Sequence, residues 1–162
     1  MMQPRIEILT EKKLVGKRIR TNISNNKTFE LWQSFMPKRK DIKNVIGTDL
    51  FSMQVYDKGL DFKDFTVETE YEKWAAAEVS DFVFLPDGME SFILPGGLYA
   101  VFNYKGNPND FSGTWLYIFR TWLPSSDFIL DNRAHFEILG EKFKRDDPDS
   151  EEEVWIPVQT KK

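Results

Sequence analysis

The sequence predicts an α+β fold of duplicated βαββ units, with pseudo-twofold symmetry and an antiparallel sheet carrying two main helices. Two observations lead to this. The apolar periodicity switches from strand-like to helix-like and back again twice along the chain, and similar residues recur in the same order about 81 to 87 positions apart.

Ile6 to Arg20 mixes apolar and basic positions and reads as one long or kinked strand with Gly16 as a candidate bulge. From Thr28, Phe29, Leu31, Trp32, Phe35 and Met36 recur at spacings of three and four, the mark of an amphipathic helix that ends near Pro37. Phe51 to Tyr56 and Lys73 to Val79 are the next strands, separated by an irregular acidic connection from Asp57 to Glu72. Pro86-Asp87-Gly88 and Pro95-Gly96-Gly97 are turn signals, and the boundary between halves is placed in the stretch that holds them.

Leu98 to Lys105 is then a strand, Ser112 to Leu123 a helix with Pro124 just past its end, and Ala134 to Leu139 and Glu153 to Val158 the last strands. The proposed repeats span about 5–80 and 97–159 within one domain covering 1–162. Trp32-Gln33-Ser34-Phe35-Met36-Pro37 lies over Phe119-Arg120-Thr121-Trp122-Leu123-Pro124 at an offset of 87. Leu14 over Leu98, Phe51 over Phe136 and Trp74 over Trp155 give offsets of 84, 85 and 81, the drift expected of loops that differ in length. Two such units would meet along a groove, a natural place for a ligand.

Composition narrows the function. At 162 residues the chain can fill a core, and its lack of cysteine excludes disulfides, thiolate metal sites and cysteine nucleophiles. The N-terminus lacks an apolar signal segment and no apolar run reaches the ~18 residues of a membrane span, so a cytoplasmic protein that meets no membrane is expected. With 22 basic against 26 acidic residues the net charge is -4, whereas a nucleic-acid binder carries a positive footprint, so direct nucleic-acid binding is not expected. Aromatic residues make up 15% of the chain, with five Trp, enough both to fill a core and to wall a pocket for flat or cationic molecules.

Gly97-Leu98-Tyr99-Ala100-Val101-Phe102 with Gly106, then His135-Phe136-Glu137-Ile138-Leu139, then Glu153-Val154-Trp155-Ile156-Pro157-Val158 follow one another in an order that resembles the GyrI-like small-molecule-binding domain, the effector-binding domain of bacterial transcription activators of the AraC type. The resemblance covers nearly the whole chain. It implies a drug- or metabolite-binding groove between the repeats, linked to transcription regulation or xenobiotic sequestration, with a glutamate of the penultimate strand facing the ligand among aromatics. Glu137 occupies that position. Members of the family also occur as gyrase modulators and as hydrolases of cyclopropane-containing compounds.

By strand alternation Glu137 shares a side with His135 and Leu139. Turned into a groove, it would pair with a ligand cation or hold a proton for acid–base work; turned outward, it is an exposed edge carboxylate. Glu153 is a second candidate, although it ends a run of three glutamates that reads equally as solvated surface. Tyr56, Tyr99, Trp115, Tyr117 and Trp155 are the candidate ring walls, each with core packing as the alternative role. His135, the only histidine, reads as structural or rim, since one imidazole beside one carboxylate makes neither a zinc site nor a triad. Lys38-Arg39-Lys40 follows a helix end and reads as solvated surface. No cofactor is implied.

Three functions follow from this reading. The first is a stand-alone binder of a small hydrophobic, in some cases cationic, molecule. The second is a hydrolase of small electrophilic compounds using Glu137, with Tyr99 or Tyr56 positioning water. The third is a topoisomerase-modulating protein whose acidic segment Asp146 to Glu153 mimics nucleic acid.

Overall fold

The computed structural model describes residues 2–161, so that Met1, where the N-terminal reading begins, and Lys162 lie outside it. The strands are β1 (Arg5–Leu9), β2 (Lys12–Thr21), β3 (Val45–Val55), β4 (Tyr71–Val79), β5 (Glu90–Leu94), β6 (Gly97–Lys105), β7 (Phe128–Leu130), β8 (His135–Leu139) and β9 (Glu151–Thr160). The helices are α1 (Thr28–Phe35), extended by a 3-10 turn over Met36–Asp41, and α2 (Ser112–Tyr117). All strand pairs are antiparallel, in the order β1-β6-β9-β8-β3-β4-β2-β5, with β7 against the end of β9.

Exchanging β1 with β5, β2 with β6, β3 with β8 and β4 with β9 turns this order into its own reverse, so the sheet has an internal twofold pattern centred on the β3–β8 pair. There Phe51 faces Ile138, Ser52 faces Glu137 and Met53 faces Phe136, a register that sets Ser52 and Glu137 in equivalent places. The helices obey the offset of 87. Leu31 and Phe35 are the buried residues of α1, and Ile118 and Trp122, each 87 positions later, are buried beside α2.

Strand equivalences need two corrections. Phe51 and Gly16 both pair with Ala76, and Phe136 and Val101 both pair with Trp155, so with Phe51 kept over Phe136, Trp155 answers to Ala76 and not to Trp74, and Leu14 answers to Tyr99 and not to Leu98. Insertions between strands hide a slip of one or two positions that register exposes.

Other departures have local causes. The expected single strand over Ile6 to Arg20 breaks at Thr10 and Glu11, which lets β1 pair with β6 of the other half while β2 stays with β4. Gly16 is no bulge, because its pairing with β4 is regular. A Cβ at this residue would meet Ala75 O at 2.0 Å and Ala76 Cα at 2.6 Å, a close approach only glycine allows. β5 arises in the stretch marked by turn signals, β7 in a stretch to which the sequence reading assigned no element, and β3 begins at Val45, ahead of an irregularity before Leu50. Pro124 lies inside the helical rod, not beyond it: α2 runs on through a π-helical segment, Ile118–Trp122, into a last α-turn over Leu123–Ser125 that places the proline in its first turn.

Both faces of the sheet are buried. One carries a core of Phe51, Met53, Trp74, Tyr99, Val101, Phe136 and Trp155, joined by Leu9 and Leu14 from the two ends of the strand order, so the sheet curls until its ends share one core. The other carries two separate cores, one under each helix. Filling these cores with fully buried side chains such as Phe35, Phe102 and Phe136 contributes about 1.5–3 kcal/mol each. Gly16→Ala is expected to lower the stability by about 1–3 kcal/mol or more, measured by urea denaturation, since backbone atoms must move to admit the methyl group.

Candidate functional site

The site is what remains of the helix-bearing face between the two helical cores. Beneath α1 lie Val15, Ala75, Ala77 and Val79, and beneath α2 lie Phe102, Val154 and Ile156. Side chains directly opposite one another in a sheet share a face. Gln54 faces Lys73 on one side and His135 on the other, Ser52 faces Glu137, and Glu137 faces Val154. A row of polar residues therefore runs along the seam, flanked by apolar cores.

Within this floor Gln54 Nε2 donates to Glu137 Oε1 at 3.1 Å, and Lys73 Nζ stands 3.8 Å from the same oxygen. Both charged side chains are largely covered, with 7% of Lys73 and 17% of Glu137 exposed. Burial holds the Glu137 carboxyl above its usual range against the opposing pull of Lys73 and Gln54, and burial holds the Lys73 ammonium below its own. Glu152 of β9, half-buried, is pushed up to about 7, first by burial and then by the nearby Glu137 carboxylate. His135 is pushed down to about 3 by burial, with Arg133 adding to the effect, so it is neutral near pH 7.

A layer of rings covers the floor. Tyr56 packs 4.9 Å from both His135 and Phe62, and Phe62 stacks on Phe119 at 5.6 Å with the planes 4° apart. Trp115 lies 4.6 Å from Phe119 and 6.0 Å from Phe65. Above these rings opens a groove of about 1240 Å³, walled by Phe62 and Phe65 from the β3–β4 connection and by Trp115 and Phe119 of the second helix. Asp61, Arg120 and Asp131 also line it. The size suits an organic ligand. Glu137 is not in the groove wall; the ring layer lies between.

Each long connection reaches the helix of the opposite half. Phe62 from the β3–β4 connection stacks on Phe119, and Arg145 from the β8–β9 connection lies over the Phe29 ring of α1 at 4.1 Å.

Of the residues singled out by sequence, the structure brings together Glu137 in the floor, Tyr56 in the ring layer and Trp115 in the groove wall. Tyr99 and Trp155 are elsewhere, on the opposite face of the sheet. Tyr99 is fully buried and donates its hydroxyl to Ala134 O at 2.8 Å, and Trp155 stacks on Phe136. Tyr117 points to the N-terminal segment, donating to Met2 O at 2.9 Å. Glu153 faces away too, pairing with Arg5 at 2.7 Å. His135 is a buried member of the floor and not a rim residue. Lys38, Arg39 and Lys40 are exposed.

Sequence reasoning missed Lys73, Gln54, Glu152, Phe62, Phe65 and Phe119 as parts of this site. Lys73 shares strand parity with Ala75, Ala77 and Val79, and Glu152 with Val154 and Ile156, a signal that would have turned both inward. Among the described residues no three His, Cys, Asp or Glu side chains converge to hold a metal ion. No helix is long and apolar enough to cross a membrane.

Residues 5–158 match the protein family described as Cass2, integron-associated effector binding protein. No curated protein sequence matches the chain. Among solved structures, SAV2435 bound to tetraphenylphosphonium aligns over 98% of this chain and 94% of its own, with a TM-score of 0.75 at 13% identity. The EcmrR C-terminal domain aligns over 99% of both chains (TM-score 0.71, 16% identity), and a hydrolase from Listeria innocua over 97% of this chain and 92% of its own (TM-score 0.60, 12% identity). The fold is the GyrI-like effector-binding fold that the sequence led us to expect.

Because His135 is neutral when folded and takes a proton below its ordinary value of 6.5 when unfolded, its contribution to stability is present above pH 6.5 and is lost as pH falls toward 3. Replacing it with Phe is expected to remove up to about 1.4 kcal/mol per pH unit of acid sensitivity in that window. Thermal unfolding of both proteins between pH 7 and 4 measures the difference.

Proposed function

The chain belongs to the Cass2 family of integron-associated effector-binding proteins, and on that premise we propose that it binds a small hydrophobic cation among the rings of the groove, with the Glu137 floor as counter-charge. The observation that carries this reading is the coincidence of a ring-walled groove with a largely covered carboxylate, Glu137, held beside Gln54 and Lys73 in the floor below. An aromatic face attracts a cation by about 0.5–2 kcal/mol per contact, and a desolvated carboxylate adds a charge partner that water does not screen. Entry needs the Phe62 and Phe65 rings to swing aside. Both sit on or beside the short 3-10 turn Phe62–Asp64, in a connection with no strand pairing of its own.

Tetraphenylphosphonium, the ligand of SAV2435, is an apt probe because it presents rings around a buried positive charge. The single-domain reading over 1–162 fits a groove whose walls come from both halves. Occupancy would serve sequestration or transcription regulation, and the net charge of -4 argues against direct contact with nucleic acid. A hydrolytic reading draws on a different property, the raised affinity of Glu137 for a proton beside the Tyr56 hydroxyl, which equips it as a general acid–base. Turnover would show as a mass change in an electrophilic compound incubated with the protein and lost with Glu137→Gln.

For binding, Glu137→Gln is expected to weaken tetraphenylphosphonium at least tenfold, about 1.4 kcal/mol, while a neutral analogue of similar shape, triphenylphosphine oxide, changes by no more than about threefold. Tryptophan fluorescence titration reads both, and equal losses for the two compounds would remove Glu137 as the counter-charge. Trp115→Ala should weaken the cation by about 2- to 30-fold, the equivalent of 0.5–2 kcal/mol. Unchanged binding there would place the ligand elsewhere.

A further inference from the structure

A ligand lying in the groove is separated from Glu137 by the ring layer, so the charges it meets first belong to the wall. Among the described residues these are Asp61, Lys63, Arg120 and Asp131, and they differ in how firmly they are held. Asp61 caps the short 3-10 turn of the β3–β4 connection, accepts from Lys63 N at 3.1 Å and pairs with Lys63 Nζ at 3.3 Å. These two charges thus answer each other in the segment that must swing aside for entry. Arg120 of the second helix is exposed, so water screens it and its long side chain keeps its rotamer freedom.

Asp131 is built differently. It follows β7 directly, and its N–H donates to Pro157 O of β9 at 3.0 Å, which ties its backbone to the sheet. Three donors orient its carboxylate: Oδ2 accepts from Arg133 Nε at 2.7 Å, and Oδ1 accepts from Asn132 N at 2.8 Å and from Gln159 Nε2 at 3.4 Å. Arg133 is fixed in turn, donating Nη2 to Leu98 O at 2.6 Å and to Val158 O at 3.1 Å, with its guanidinium 4.7 Å over the Tyr99 ring. Its Nη1 is buried as well. The cationic end of the Asp131–Arg133 pair is therefore enclosed among strand ends, whereas 33% of the Asp131 side chain is open and Asp131 lines the groove.

A carboxylate oxygen has two lone-pair sites, so among the described residues Oδ2 keeps one free. The side chain of Asn132, next in the chain, lines the same wall with its amide uncommitted to any described residue. A rigidly held carboxylate beside a free amide, adjoining the apolar Leu123, Leu130 and Phe119, suits a cation that carries several N–H donors. We propose that Asp131, with Asn132, forms a second subsite of the groove, which takes the protonated amine of an amphiphilic ligand whose apolar body lies against Phe62, Phe65, Trp115 and Phe119. A quaternary cation such as tetraphenylphosphonium has no such donors and fills only the ring-walled part. The groove, at about 1240 Å³, exceeds the ~300–1,000 Å³ common for drug-sized ligands and has room for both portions. The inference rests on the cation reading above and adds to it a residue and a ligand class.

Triphenylphosphonium probes that differ in one arm test it by tryptophan fluorescence titration of the whole chain near neutral pH. The arms are propyl, aminoalkyl of roughly two to six carbons, and trimethylammonioalkyl and carboxyalkyl of the best length. The best amine arm should tighten binding about tenfold over propyl, against no more than about twofold for trimethylammonium, which has the charge without the donors, and no gain for the carboxylate. Asp131→Asn should bind the propyl probe as the natural chain does, which also reports that it is folded, and should lose the advantage of the amine. Asp131→Glu, which keeps the charge, should retain that advantage with a shorter arm. An amine that gains nothing at any length, a gain matched by trimethylammonium, a gain that survives Asp131→Asn, or a larger gain from the carboxylate, which would assign the subsite to Arg120, overturns this inference and leaves the cation reading standing. Failure of every probe to bind overturns both.

Discussion

The pairing of β3 with β8 is the constraint from which the site follows. It joins the halves, and its register sets Ser52 against Glu137 and Gln54 against His135 on the face that carries the helices. A slip of one residue would send Glu137 into the apolar core of Trp74, Phe136 and Trp155 and bring Phe136 up between the helices. Because each helix packs over its own half of the sheet, the seam lies between the two helical cores, and polar residues persist there at little cost to either core.

The energetics of this floor differ from those of the rest of the fold. The helical cores and the curled-sheet core gain from apolar burial, whereas an enclosed Lys73–Glu137 pair gives back in desolvation much of what its attraction supplies. The outer ion pairs, such as Arg18 with Glu72 and Glu90 across three strands, are solvent-exposed on at least one side and contribute modestly. Charge inside the seam is thus poorly explained by stability, while its position under a ring-walled groove matches the chemistry of a recognition site.

Much of this was legible in the residues. Three-and-four spacing located both helices, and the offset of 87 matched their buried positions pair by pair. Alternation placed Glu137 and His135 on a common face, as the structure has them. Alternation could not say which face of a strand carries the groove, because both faces here are buried, and so Tyr99 and Trp155 were as plausible as Tyr56. Phe62 and Phe65 sit in a connection read by its acidic charge, with no period to mark them, and only the folded chain shows them reaching across to α2. Glu152 was passed over because a run of glutamates suggests solvent, although its neighbours two and four places on are fully apolar.

The unequal occupancy of equivalent positions has a further consequence. A crevice with perfect internal symmetry would accept a guest equally well in two poses related by half a turn. Here Ser52 stands opposite Glu137 at the centre, and Lys73, paired with Ile19, has Glu152, paired with Tyr104, as its counterpart, so the two sides of the crevice carry different charges. An asymmetric molecule held there would have a preferred heading, and a scaffold of matching halves would tell head from tail.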